Sequence, residues 1–415
     1  MFKVVVDRNF KFVLLFSFIY CLLCYSLAIH WYEKDYFSVY DIFFDTDASS
    51  NLSSMSHGWG RHAITHAFLE IFSIPIRIIE MIYSNLFVVT DRLEFRELIA
   101  LSICPIFSSL TLIYFYRILL LLNIKTLDAN IFTLIFAVSF TNVIFAIVPE
   151  TYAISCFFIS YLIFYFFKNE RERSTGHIAV WFILAISLSG ITITNICIFF
   201  LVFIIHLLKN EQLSWFDAIK KASLYSIIAL LFVISFYKLS HLVLDIKTGG
   251  EVSVKWVETY LTSSFWGFQR NTINLFSASI NSFSATYPTI TVNDKCGDFT
   301  CNAISFTRGK SDFLLLSCVA LIWGAVAFYS RKFVFEKRWQ NLYLICSLIV
   351  AFNFALHILF GREMFMYTQH WITPLLLLLV PIIQNKRLIS ISLLVLLVIV
   401  NVNFLLDVEQ LVALK

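Results

Sequence analysis

Long apolar runs recur along the whole chain and constrain its fold more than any other feature. They cover residues 12–29, 66–89, 97–122, 131–148, 151–167, 178–190, 192–208, 223–244, 312–330, 342–360, 372–383 and 388–406. A helix needs about 20 such residues to cross the ~30 Å hydrocarbon core of a bilayer. With 59% hydrophobic and 14% charged residues, the chain has too little charge to cover a water-facing surface. We therefore expect an all-α integral membrane protein.

Composition also excludes other classes of protein. The 11 Gly and 6 Pro are too few for the many turns of a β-barrel. The other structure that can satisfy all its backbone hydrogen bonds within lipid is the α-helix. The formal net charge of +4 does not predict nucleic-acid binding, because most Lys and Arg lie between apolar runs, where topology explains them. We expect membrane lipids as surroundings, and no nucleic acid, cofactor or metal.

Clusters of Lys and Arg predict which loops face the cytoplasm. They lie at 168–173, 209–221, 331–338 and 386–387. Their spacing places Met1 inside and Lys415 outside, with about eleven spans between them. The chain then forms a single membrane domain, 1–415, with two long external segments at 30–96 and 245–311.

The run at 66–89 differs from the others because polar residues interrupt it. These are Pro75, Arg77, Glu80 and Asn85. An interfacial or re-entrant helix suits such a segment better than a lipid-facing span. A conventional span, with Arg92 and Arg96 inside, is the alternative.

Two of the nine cysteines lie outside the apolar runs. Cys296 and Cys301 fall in the polar segment 245–311, whereas the other seven lie within apolar runs and resemble small hydrophobic residues. A disulfide between the two fits an oxidising outer compartment. A zinc site would need four ligands, and the sequence shows no companions for this pair.

The first external segment holds a dense set of ionisable side chains. The acids Asp41, Asp45 and Asp47 precede the basic residues Arg61, His62 and His66. A carboxylate can act as general base towards a hydroxyl nucleophile, and Arg or imidazolium can hold a phosphate. A solvated loop without chemistry is the competing interpretation.

A second patch lies at the predicted outer end of two apolar runs. Glu150, within Pro149-Glu-Thr-Tyr152, is an acid near the hydrocarbon boundary, where a charge is costly and usually functional. A Glu in the first turn of a helix also complements the helix dipole, so a structural role is the alternative. Residues 191–195 are expected to form a tight outer turn.

A third patch follows the apolar run at 342–360. It contains Arg362, Glu363, Tyr367 and His370. Helical spacing brings the last three onto one face. A solvated ion pair of Arg362 with Glu363, worth little, and an aromatic belt at the membrane surface are the competing interpretations.

Together the patches resemble GT-C class integral-membrane glycosyltransferases, which use polyprenyl-phosphate sugar donors. The resemblance rests on Phe44-Asp-Thr-Asp47 followed by Arg61-His62 and His66-Ala-Phe-Leu, on Pro149-Glu-Thr-Tyr152, on Thr192-Ile-Thr-Asn195, and on Gly361-Arg-Glu-Met-Phe-Met-Tyr367 with His370. Within the class, the chain is similar in size and odd span count to phage-borne serotype-converting O-antigen glucosyltransferases of enteric bacteria. Similar enzymes carry His-Pro-Leu where this chain has His66-Ala67-Phe68.

The resemblance implies an activity and a location. A sugar, glucose by this resemblance, would pass from a polyprenyl-phosphate donor to a hydroxyl of a lipid-linked O-antigen glycan, with inversion of the anomeric centre. The reaction would take place on the periplasmic side of the bacterial inner membrane. A lipid-linked sugar flippase or transporter and an O-antigen polymerase are the alternative functions. Transporters often show repeats and midplane charges, which this sequence lacks.

The resemblance also implies a role for each residue. Asp47 would be the base, with Asp45 as the alternative and Glu150 as a further catalytic candidate. The donor phosphate would be bound by Arg61, His62, His66 and Arg362. The sugar or acceptor cleft would be lined by Glu363, Tyr367 and His370.

Overall fold

The computed structural model describes most of the chain as a bundle of helices. The described residues are 8–37, 46–58, 66–87, 91–244, 275, 278–284, 288–296, 299–306, 324, 326, 328–359 and 364–413. The α-helices are α1 (Arg8–Glu33), α2 (Ala48–His57), α3 (Ser73–Leu86), α4 (Arg92–Ala100), α5 (Ile103–Leu121), α6 (Thr126–Val138), α7 (Phe140–Ile147), α8 (Thr151–Glu172), α9 (Ile178–Ile191), α10 (Asn195–Lys209), α11 (Trp215–Leu244), α12 (Gln340–Leu359), α13 (Ile372–Ile383) and α14 (Arg387–Ala413). Two 3₁₀ helices lie at Leu69–Phe72 and Met364–His370, and strands β1 and β2 lie at Pro288–Cys296 and Phe299–Phe306.

Within these described residues, six helical segments are long and apolar enough to cross a membrane. They are α1, α4 with α5, α8, α11, α12 and α14. Two bent pairs raise the number to as many as eight: α6 with α7, at 58°, and the second 3₁₀ helix with α13, at 66°. The chain is therefore a multi-pass α-helical membrane protein, as its apolar runs predicted. The span count of about eleven and the GT-C arrangement stay predictions.

Two predicted spans form short helices. The apolar helices α9 and α10 contain 14 and 15 residues, which is about 21–23 Å at 1.5 Å per residue. That length falls short of the ~30 Å hydrocarbon core. The run predicted at 312–330 lies mostly outside the described residues.

The apolar run at 131–148 is two helices rather than one, because the backbone breaks at Ser139. The first free N–H groups of α7 are satisfied from a distant segment: Phe140 N–H donates to the Phe283 carbonyl (3.0 Å), and Thr141 N–H donates to the Ser282 carbonyl (3.1 Å). A helix can start inside a protein when its unpaired N–H groups find such acceptors. The break therefore depends on residues about 140 positions away.

The run at 66–89 forms a 3₁₀ turn and the amphipathic helix α3, which is not among the candidate spans. Its Glu80 is buried and accepts a 2.9 Å hydrogen bond from Arg96 of α4, which lowers the pKa of that carboxyl. The opposite face is apolar and exposed, and includes Ile78, Ile82 and Leu86. Its position relative to the membrane stays a prediction.

The predicted cytoplasmic clusters share one end of the bundle. Arg387 at the start of α14 pairs with Asp128 of α6 at 2.8 Å, and Arg338 donates to the Leu122 carbonyl at 2.7 Å. At the opposite end, Glu409 of α14 pairs with Lys34 after α1 at 2.9 Å. The helix ends therefore meet as the alternation of loops predicted. The assignment of the basic end to the cytoplasm rests on the positive-inside rule.

The segment 245–311, predicted to be external, contains strands, which the all-α prediction did not include. β1 and β2 pair antiparallel, with Ile290 opposite Ile304 and Cys301 opposite Asn293. The pairing is irregular between Asn293 and Cys296. The side chains of Cys296 and Cys301 lie outside the described part of the structure, so their disulfide stays a prediction.

Candidate functional site

Glu150 caps the N-terminus of α8 and connects this helix to the segment 30–96. Pro149 keeps the preceding Val148 extended (φ −77°, ψ 127°), which ends α7 and leaves Glu150 as the capping residue of α8. The Glu150 side chain is 4% exposed. Its Oε2 accepts from its neighbour's Thr151 N–H at 3.0 Å, and its Oε1 accepts from the Asp47 N–H at 2.9 Å. Both oxygens of the Glu150 carboxyl group therefore accept hydrogen bonds from backbone N–H groups.

Asp47 lies at the N-terminus of α2, with its side chain exposed. The other end of α2 is fixed as well, because Gly58 adopts a left-handed conformation (φ 74°) and donates its N–H to the Ser54 carbonyl. Glycine enters this region without steric cost. At the same end, His57 lies 3.3 Å from Glu97 of α4. α2 is thus a short helix held at both ends, and it presents Asp47 beside α8.

Tyr152, in the first turn of α8, contacts the third sequence patch. Its ring centroid lies 6.0 Å from that of Tyr367 and 5.6 Å from that of His370, both edge-on. Of the helical face predicted for Glu363, Tyr367 and His370, the last two residues are described. They lie in the 3₁₀ helix Met364–His370, in which residues three apart share a face. Tyr367 and His370 therefore face Tyr152 together.

His66 is anchored to the turn between α9 and α10. Its Nδ1 lies 2.6 Å from the carbonyl oxygen of Ile191, which can only accept, so Nδ1 carries the proton. The Phe68 N–H donates to the Gly190 carbonyl at 2.9 Å. The same turn also contacts α8, because the Thr192 hydroxyl lies 3.1 Å from the hydroxyl of Ser155. These contacts attach the first patch to α8 a second time.

The structure thus brings together part of the predicted site. Five of the predicted residues are described, and all five contact α8 or the turn beside it: Asp47, Glu150, His66, Tyr367 and His370. The others lie outside the described residues: Asp45, Arg61, His62, Arg362 and Glu363.

His357 belongs to the same cluster and was missed from the sequence. It lies in α12, is 4% exposed, and stacks on Tyr367 with ring centroids 3.8 Å apart. It also lies 6.0 Å from His370. An ionisable residue inside an apolar run is a functional signal, and that signal was present four residues before Gly361.

Glu70 is a second missed residue, four positions after His66. It is 3% exposed, and neither carboxyl oxygen has a hydrogen-bond partner among the described residues. Two residues earlier, Phe68 packs edge-on against Phe236 of α11 at 5.3 Å. Burial raises the pKa of Glu70 to about 7, since an apolar site disfavours the ionised carboxylate. Such a pKa is typical of groups that exchange protons at neutral pH.

No family model, curated protein or solved structure matches this chain.

Proposed function

We propose that this chain is a membrane-embedded inverting glycosyltransferase that uses a polyprenyl-phosphate sugar as donor and a hydroxyl of a lipid-linked glycan as acceptor. One observation carries the proposal. The first turn of α8 contacts both other patches, through Glu150 to Asp47 and through Tyr152 to Tyr367 and His370. Patches more than 100 residues apart in sequence thus surround one helix end.

In the proposed reaction, Asp47 removes the proton from the acceptor hydroxyl as its oxygen attacks the anomeric carbon. A new carbon–oxygen bond forms on the face opposite the phosphate. The bond from the anomeric carbon to the phosphate oxygen breaks, and its electron pair leaves with the polyprenyl phosphate. The configuration is inverted because attack and departure take place on opposite faces. An exposed carboxylate at a fixed position suits this role.

The donor phosphate is assigned to Arg61, His62, His66 and Arg362 by the resemblance. The geometry of His66 supports its part in this set. Since Nδ1–H is committed to the Ile191 carbonyl, the protonated ring would present Nε2–H to an anion. A charge-assisted donor of this kind stabilises a phosphate as it leaves.

The test is transfer by the purified full-length chain from a labelled polyprenyl-phosphate glucose to a lipid-linked glycan. We expect Asp47→Asn to lower turnover about 10²–10⁴-fold with little change in donor binding. Asp91→Asn is the control, because Asp91 is likewise an exposed aspartate at the N-terminus of a helix, α4, and has no proposed part in the chemistry. Full turnover by Asp47→Asn would remove Asp47 as the base. Activity in Asp47→Asn combined with its loss in Asp45→Asn would move the base to Asp45.

Product analysis separates the proposal from its alternatives. O-antigen from a host strain with the gene should carry one additional sugar per repeat unit, absent from the strain without it. A polymerase would change the length of the glycan and not its composition. A flippase would form no glycosidic bond with purified substrates. Either of these outcomes would contradict the proposed function.

A further inference from the structure

A charged pocket of about 210 Å³ lies between the C-terminal ends of α5 and α8. Three cations line it: Arg117 of α5, and Lys168 and Arg171 of α8. None of the ion pairs and hydrogen bonds among the described residues involves these three side chains. Glu172 contributes the remaining charge and is exposed. The pocket therefore carries an excess of positive charge that no acidic side chain among the described residues pairs with.

Aromatic contacts hold Arg117 in place. Its guanidinium carbon lies 4.4 Å from the centroid of Phe164 and 5.5 Å from that of Tyr114. A guanidinium stacked on a ring keeps its N–H groups available at the edges for an acceptor. Leu120 and Leu121 complete an apolar wall beside it. The lining thus combines a cationic part with an apolar part, which matches the two parts of a phospholipid.

The pocket lies at the opposite end of the bundle from the candidate site. Glu150 and Lys168 are at the two ends of α8, separated by 18 residues, or about 27 Å at 1.5 Å per residue. That distance is close to the ~30 Å thickness of the hydrocarbon core. The pocket shares its face with the basic clusters that predict the cytoplasmic side, where anionic lipids attract Lys and Arg.

We infer that this pocket binds the phosphate headgroup of an anionic phospholipid, with Arg117, Lys168 and Arg171 around the phosphate and Leu120, Leu121 and Phe164 along the start of the acyl chains. The inference does not depend on the transferase activity. Cations at helix C-termini also interact with the helix dipole, but that effect needs no lipid. A lipid titration distinguishes the two.

The experiment uses the purified full-length chain in a neutral detergent. Phosphatidylglycerol, phosphatidylcholine and inorganic phosphate are added separately, and melting temperature and lipid retained in native mass spectrometry are measured. We expect phosphatidylglycerol alone to raise the melting temperature and to be retained. An equal effect of phosphatidylcholine would overturn the inference. The full effect from inorganic phosphate would assign the pocket to free anions and overturn its assignment to a lipid.

Substitutions of the pocket cations test whether the lipid binds in this pocket. Each cation removed near a membrane surface should weaken binding about fivefold, and the triple variant Arg117→Gln, Lys168→Gln, Arg171→Gln about a hundredfold. The control triple Lys125→Gln, Lys220→Gln, Arg331→Gln removes exposed cations outside the pocket and should stay within about twofold of the unmodified chain, since these charges touch no bound lipid. Equal binding by the two triples would contradict the inference.

Two single variants keep the test independent of folding. Arg171 is exposed, so Arg171→Gln should leave the fold intact and weaken phosphatidylglycerol binding about fivefold. Glu172→Gln removes the one acid of the pocket and should strengthen binding severalfold, by the same reasoning. A gain of affinity is not expected from a damaged protein. Unchanged affinity in both variants would place the lipid elsewhere.

Discussion

The backbone N–H of Asp47 donates a 2.9 Å hydrogen bond to Oε1 of Glu150, which lies 103 residues further along the chain. Because Oε2 accepts from Thr151, one buried carboxylate joins the start of α2 to the start of α8. Hydrogen bonds to a charged group are stronger than neutral ones. We therefore interpret Glu150 as a positioning residue for Asp47.

The first prediction concerns that hydrogen bond. In Glu150→Gln, the amide nitrogen must face one of two N–H donors, so one bond is lost. A lost hydrogen bond to a charged group costs about 1.5–3 kcal/mol, and we expect kcat to fall about ten- to a hundredfold with donor KM little changed. Steady-state kinetics in both substrates would measure this split. Glu409→Gln is the control, since Glu409 accepts hydrogen bonds from Trp31 and Lys34 at the same end of the bundle and has no part in holding α2. Unchanged kcat in Glu150→Gln would exclude the positioning role.

Much of the fold could be predicted because the membrane imposes it. Apolar runs of about 20 residues have few alternatives to helices in lipid, and the described helices follow the runs closely. The grouping of the patches was also predictable. The alternation of loops across the bilayer predicts that Asp47, Glu150 and Tyr367 lie on the same side of the membrane. This prediction counts only the Lys and Arg residues in each loop, so it requires no knowledge of how the helices pack.

What the sequence could not predict depends on contacts between distant residues. The break at Ser139 needs the carbonyls of 282 and 283, and the packing of Phe68, two residues before Glu70, needs Phe236 of α11. Neither contact leaves a local pattern. The hairpin of β1 and β2 was missed because the segment 245–311 was interpreted only as an external loop, and a single pair of 9- and 8-residue strands leaves a weak periodic signal.

The second prediction tests the contact that attaches the first patch to the turn before α10. A Cβ on Gly190 would overlap the ring of Phe68, so Gly190→Ala should destabilise the protein by about 1–3 kcal/mol. Thermal unfolding in detergent measures the loss. The added Phe68→Leu change should recover part of it by making room. Gly324→Ala is the control, because a Cβ there meets nothing within 4 Å. Equal stability of the two alanine variants would disprove the close contact.

The third prediction concerns orientation. Reporter domains fused after residue 280 and after Lys415 should be active only when the reporter functions outside the cytoplasm, because the Lys and Arg clusters lie at the opposite end of the bundle. Glu409 and Lys34 meet at 2.9 Å, so a fusion after Lys34 should report the same compartment. Activity of a cytoplasmic reporter at residue 280 would reverse the assignment of the candidate site.

The last prediction uses the raised pKa of Glu70. Its folded-state pKa is about 7, against 4.5 as the ordinary value. Below pH 4.5 the carboxyl is protonated in both the folded and the unfolded state, so burial carries no ionisation cost. As the pH rises towards 7, the unfolded chain releases this proton first, and the free energy of unfolding falls. The total loss is about 3 kcal/mol at 1.36 kcal/mol per pKa unit, and it is complete above pH 7.

Glu70→Gln removes the titrating group and should remove this pH dependence. The melting temperature of the variant, relative to the unmodified chain, should therefore rise between about pH 4.5 and 7 and stay constant above that range. Melting curves in one detergent across pH 4–8.5 would measure it. Glu94→Gln on α4 is the matched control, because Glu94 is exposed and its replacement should leave the pH profile unchanged. Parallel profiles for the unmodified chain and Glu70→Gln would show that the Glu70 carboxyl ionises as readily in the folded protein as in the unfolded chain, and would remove it as a proton-exchanging group beside the candidate site.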